Sequence, residues 1–177
     1  MAFDFSRDHF QQFGLPRAFR IDVAALEAAY RSLQSQYHPD RAAALPDAEK
    51  RLSLQAATQV NEAFQTLKSP LARGRYLLAL AGVDTQEETN TAMPVDFLMQ
   101  QMQWREAIDD ARQQAGIVAL EALERELRCE SQALEADLAQ ALDTLHDHAA
   151  AALLVRKLKF MSSLLREVGV AIETLLD

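Results

Sequence analysis

Tyr37-His38-Pro39-Asp40 is the stretch on which the fold turns. It separates two segments of helical pattern, residues 21–37 and 47–68. The piece between them cannot continue either helix, because proline disfavours the α region for the residue before it. A helix therefore ends at or just before His38, leaving a histidine and an aspartate on a loop at the tip of a helical hairpin. Side chains displayed on a loop over a rigid support are placed for recognition. An ordinary interhelical turn would use the same residues, since Pro and Asp are common turn formers.

The frame around the tip decides between these readings. Val23, Leu26, Tyr30, Leu33 and Tyr37 step by three and four, which gives one apolar stripe along the first helix. Leu52, Ala56, Val60, Ala63 and Leu67 repeat the pattern in the second. Asn61-Glu62-Ala63-Phe64-Gln65-Thr66-Leu67 then runs into Ser69-Pro70. An antiparallel hairpin with His-Pro-Asp at its tip and this ending resembles the J-domain, the module that activates DnaK-type chaperones.

Composition narrows the class. Of 177 residues, 49% are apolar and 7% aromatic, with only five Gly and five Pro. Ala, Leu, Gln, Glu and Arg are prominent and β-branched runs are absent, so the chain reads as all-α. No stretch approaches the roughly 18 consecutive apolar residues of a membrane span, and residues 1–8 do not read as a signal peptide. One cysteine, Cys129, excludes an internal disulfide and a CxxC zinc site, and fits a reducing cytoplasm. The net charge of −8 argues against nucleic acid. The charge is uneven: residues 1–80 hold ten Lys and Arg against eight Asp and Glu, the rest eight against eighteen. This asymmetry suggests two partners with different surfaces, although solvated helix faces would look the same.

In chain order, Phe3, Phe5, Phe10 and Phe13 precede a stop at Gly14-Leu15-Pro16, and Asp8 or Ser6 caps a short helix there. These rings need a core, and the hairpin face of Tyr30, Leu33 and Val60 offers one. Asp22 is the expected N-cap of the next helix, on which Glu27 precedes Arg31 by four. Ser69 and Pro70 open a further helix that Gly82 closes. The expected division is an N-terminal module over 1–82, a polar linker over 83–93 and a C-terminal domain over 94–177. That domain reads as three helices, about 94–115 with Gly116 as the break, 117–146 and 150–176. Their expected stripes include Leu120, Leu123, Leu127, Leu134, Leu138, Ala141 and Leu145 in the second. In the third, Leu154, Leu158, Met161, Leu165, Val168, Ile172 and Leu175 step 4, 3, 4, 3, 4, 3. Short joints make this an antiparallel three-helix bundle, and a 3.5-residue stripe favours coiled-coil-like packing.

The helix from Pro94 has two apolar faces. Phe97, Gln101, Trp104, Ile108 and Ala111 form its core stripe. Leu98, Met99, Met102, Glu106 and Asp110 fall on the opposite arc. A bundle has room for one such face per helix, so the second is expected to stay exposed as a binding site, unless it packs on the N-terminal module. Methionines adapt to irregular partners. Phe160 lies one position off the third stripe, beside Lys157 and Lys159, and extends the patch at the bundle edge.

A J-domain followed by Phe97-Leu98-Met99-Gln100-Gln101-Met102-Gln103-Trp104-Arg105-Glu106 and Val155-Arg156-Lys157-Leu158-Lys159-Phe160 resembles the HscB family, the J-type co-chaperones of iron–sulfur cluster assembly. The resemblance spans essentially the whole chain. It implies an L-shaped all-α protein with two partners, the DnaK-like ATPase HscA and the cluster scaffold IscU. It implies that His38, Pro39, Asp40 and Arg41, with Arg31 and Arg20, meet the ATPase, Arg41 standing where the family often has lysine. This basic face is thinner than is usual in J-domains. It implies that Leu98, Met99, Met102, Gln103, Glu106, Asp110 and Phe160 meet the scaffold, although the family often has an acid where Gln103 stands. The cysteine motifs that some eukaryotic relatives carry before the J-domain are absent, so no metal and no cofactor is implied.

Catalytic signatures are missing. There is no GxGxxG, P-loop or HExxH. His146 and His148, two apart, point to different faces of a helix and read as polar residues at its end. Cys129 has no histidine near it in sequence and reads as a buried or inert thiol. The chain is read as a non-enzyme. Its rivals are an interaction protein with a degenerate J-like hairpin, and a hydrolase built on His38 and Asp40, for which a loop tip offers no oxyanion pocket.

Overall fold

The computed structural model describes residues 3–38, 46–87, 89 and 92–176. All regular structure among them is helical. In order come α1 His9–Gln12, α2 Val23–Gln36, α3 Asp47–Lys68, α4 Pro70–Leu80, α5 Val95–Gln113, α6 Ile117–Gln140, a π-helical turn Ala141–Leu145, and α7 His148–Leu176. They form two compact units, residues 1–80 and 81–177.

In the first unit, local chemistry sets the helix ends. Asp8 starts α1 with a reciprocal capping box: the Gln11 N–H donates to Asp8 Oδ1 at 2.9 Å and the Asp8 N–H to Gln11 Oε1 at 3.1 Å. Gly14 ends the turn at φ +65°, where a side chain would be strained. Asp22 caps α2 by accepting from the Ala25 N–H at 3.0 Å, and Ser69 Oγ accepts from the Ala72 N–H at the start of α4. Phe10, Phe13, Leu26, Val60, Ala63, Phe64 and Leu67 are the buried core. The Tyr30 ring stacks on Phe64 at 3.9 Å, and its hydroxyl donates to Asn61 Oδ1 at 2.8 Å. Arg73 is buried, its guanidinium 4.8 Å over Phe19 and its Nη1 donating to the Leu67 carbonyl. His9 stacks flat on Tyr76 at 4.2 Å. Burial holds its imidazole below the ordinary histidine pKa, against the opposing pull of Glu62 and Asp8.

Several expected core positions of this unit are corrected. Val23 and Leu52 are exposed, because each sits in the first turns of its helix, beyond the reach of the opposing helix. Half-buried Ile21, just before α2, packs on the core instead. Phe5 is exposed, whereas Phe3 packs on Tyr37 at 5.2 Å. Glu27 pairs with Lys68 of α3 at 3.8 Å, across the hairpin.

The second unit packs α5, α6 and α7 together. Phe97 meets Phe160 near one end while Arg112 meets Glu167 further along both helices, so α5 and α7 run the same way with α6 antiparallel between them. Trp104 anchors α5, its Nε1 donating to Glu126 Oε1 of α6 at 2.9 Å. Leu120, Leu123, Leu127, Leu134, Leu138 and Ala141 are buried as the stripe predicts, but Leu145 is exposed. It falls on the π turn, which rotates the chain out of register before His146 closes it at φ +52°. On α7 the buried face is Ala151, Ala152, Val155, Leu158, Met161, Leu164, Val168 and Ala171, with Leu154, Leu165, Ile172 and Leu175 half-buried beside it. A helix touching two neighbours buries a broader face than a 3.5-residue seam. The joint between α5 and α6 is also corrected: Ala115, at φ +48°, takes the left-handed position, and Gly116 merely follows it. Cys129 is exposed, not buried.

Candidate functional site

Two sets of side chains stand out, one in each unit. In the first, α2 ends at Gln36, and the Tyr37 N–H still donates to the Leu33 carbonyl at 3.0 Å. His38 follows outside the helix and is exposed. Pro39, Asp40 and Arg41 lie outside the described residues. Arg31 and Arg20 are both exposed. Arg31 is seven residues before His38, about 10 Å along the helix rise. Arg20 precedes the cap at the opposite end of α2, about 20 Å away by the same rise. Arg31 thus lies on the helix within reach of the tip, and Arg20 lies beyond its far end.

In the second unit, α5 divides as its sequence predicts. Phe97, Trp104, Ile108 and Ala111 are buried, and Gln101 is partly so. Leu98, Met99 and Met102 are 40%, 59% and 72% exposed. Gln103, Glu106 and Asp110 are exposed around them. Phe160 is half-buried on α7, edge-on to Phe97 at 5.9 Å, with the Arg105 guanidinium 5.4 Å over its ring. It is a partly covered rim residue rather than a free anchor. Sequence reasoning missed Val95 and Asp109. Val95 is 68% exposed and stands three, four and seven positions before Leu98, Met99 and Met102, at the middle of their arc. That spacing was a signal available in the sequence. Chemically, this face offers flexible apolar groups bounded by carboxylates, the makings of a protein-binding surface.

Comparison with known proteins gives both units a family. A sequence model of the DnaJ domain matches residues 8–76. One described as the HSCB C-terminal oligomerisation domain matches residues 93–169. The chain is thus a J-domain co-chaperone with a helical C-terminal domain. It is 60% identical over 177 residues, the full length of both chains, to the co-chaperone protein HscB homolog of Chromobacterium violaceum. It is 53% identical over 175 residues, 99% of both chains, to that of Azoarcus sp.. Among solved structures, chaperone HscB from Vibrio cholerae matches with a TM-score of 0.84 at 34% identity, covering 96% of this chain and 99% of that one. The crystal structure of human co-chaperone protein HscB matches with a TM-score of 0.89 at 29% identity, covering 96% and 84%. The chain belongs to the HscB co-chaperone family.

Proposed function

We propose that this protein works in the bacterial cytoplasm as a bridge between the DnaK-like ATPase HscA and the iron–sulfur scaffold IscU, promoting maturation of iron–sulfur proteins. Residues 1–82 act as the J-domain, 83–93 as a linker and 94–177 as the scaffold-binding domain. His38, Pro39 and Asp40 engage the ATPase as contacts, not as catalysts, and Arg31, Arg41 and Arg20 steer the encounter with an acidic surface. Leu98, Met99 and Met102 anchor the scaffold, with Phe160, Gln103, Glu106 and Asp110 around them.

The observation that carries this reading is the exposed apolar arc of α5, opposite a buried stripe on the same helix. An apolar patch without a core role and rimmed by charge is the usual mark of a protein interface. Burying one such side chain contributes roughly 1.5–3 kcal/mol before association costs, and a few central residues usually dominate. The test is calorimetric titration of an IscU-type scaffold into the Leu98→Ala, Met99→Ala, Phe160→Ala triple variant. Affinity should fall at least tenfold, or about 1.4 kcal/mol. Undiminished binding would refute the assignment of this face.

A further inference from the structure

The second unit is strongly acidic, yet its cations gather in one place. Residues 81–177 carry eight Lys and Arg against eighteen Asp and Glu. Four of the eight, Arg105, Arg156, Lys157 and Lys159, surround the Phe97–Phe160 pair. Arg105 lies 5.4 Å over Phe160 and Lys157 lies 5.0 Å over Phe97. Arg156 and Lys159 line a groove of about 350 Å³ beside Phe160. Met93, Leu98, Gln101 and Ser163 complete its walls, and Glu87 is the one carboxylate among its described lining residues. Arg156 also holds the segment before α5, its Nη1 donating to the Thr85 carbonyl at 3.1 Å.

Leu98 and Phe160 belong both to this groove and to the α5 face, so the two are continuous. The charge along that continuous surface reverses. Glu106, Asp109 and Asp110 follow the apolar arc toward the C-terminal end of α5, while Arg156, Lys157 and Lys159 stand on α7 and Arg105 reaches Phe160 from α5. The groove is at the small end of ligand cavities, which run about 300–1,000 Å³. It has room for an apolar side chain and a polar neighbour. Charges beside apolar walls act through less water and so discriminate more strongly than free surface charges.

We propose that this groove receives an apolar side chain of the scaffold partner together with a neighbouring carboxylate. The inference rests on the reading that the α5 face binds an iron–sulfur scaffold protein, and it adds the chemistry and direction of the bound segment. Its acidic end points to Arg156 and Lys159, and its basic end lies along Glu106, Asp109 and Asp110.

The test uses the full chain and an IscU-type scaffold, titrated calorimetrically at low salt, with a thermal melt of each variant. Gln101 is neutral and lines the groove, so it can be charged either way. Gln101→Lys should tighten binding about threefold and Gln101→Glu should weaken it about threefold. A steric role alone would move both in the same direction. Ser163→Trp should narrow the groove and weaken binding about tenfold. Should that variant fail to fold, the Gln101 pair still decides. Equal affinities for the two Gln101 variants, or parental affinity for a folded Ser163→Trp, would overturn the groove while leaving the α5 face intact. If the parent chain itself binds no scaffold, the proposed function falls first and the groove with it.

Discussion

The two units present their proposed contacts on different supports. The first uses the end of a helix, in a region where positive charge slightly exceeds negative. The second uses the side of a helix in an acidic bundle. Each support leaves a different trace in the sequence. A loop tip is announced by its residues, because the proline that ends the helix is part of the motif. A helix face is found only by subtraction, after the core has claimed its side. Trp104 and Ile108 had to be placed inside before Leu98, Met99 and Met102 became a surface.

The largest expected effect separates surface from core on α5. Trp104→Ala should cost roughly 3–5 kcal/mol of stability. The Leu98, Met99, Phe160 triple variant should melt close to the parent, with Phe160, half-buried on Phe97, contributing most of any small loss. A large drop in melting temperature for the triple variant with scaffold binding retained would make these residues core and end the contrast. A smaller effect concerns salt. Exposed charges are screened over about 8 Å at physiological ionic strength. Association with the ATPase should therefore slow more steeply with added salt than association with the scaffold, whose anchor is apolar. Equal slopes, measured by stopped flow, would erase the division between the units.

Two further predictions act on one unit each. Ala115 sits at φ +48°, so Ala115→Gly should stabilise the bundle by about 0.5–1 kcal/mol. Thermal melting checks it, and no gain would mean that the left-handed turn costs nothing there. In the first unit, burial lowers the pKa of His9. The folded state then binds fewer protons than the unfolded state, whose histidine titrates near 6.5. The His9 contribution is complete above that value and is lost as pH falls through it toward the lowered folded value. Melts between pH 7.5 and 5 should show this slope, and His9→Gln should remove it.

The helices were readable from periodicity and caps, and so was the division of α5. What failed lies where tertiary geometry overrides a stripe. Val23, Leu52 and Leu145 continue an apolar pattern past the end of the packed region. The buried face of α7 keeps Leu158, Met161 and Val168 of the expected stripe and widens to either side of it, because two neighbours, not one, cover the helix. The π turn at Ala141–Leu145 leaves no periodic trace in the sequence. Phe64 stands outside the apolar stripe of its helix, yet it is buried against Tyr30.

His38 is proposed to belong to a contact that switches another protein's ATPase. The direct measurement is steady-state ATP hydrolysis by the cognate DnaK-type chaperone, with the parent chain and with His38→Gln. The parent should raise the rate and IscU should raise it further. His38→Gln should fold normally, since an exposed loop-tip change costs little stability, should still bind IscU, and should give no stimulation. Stimulation by His38→Gln equal to that of the parent would show that His38 is no part of such a contact.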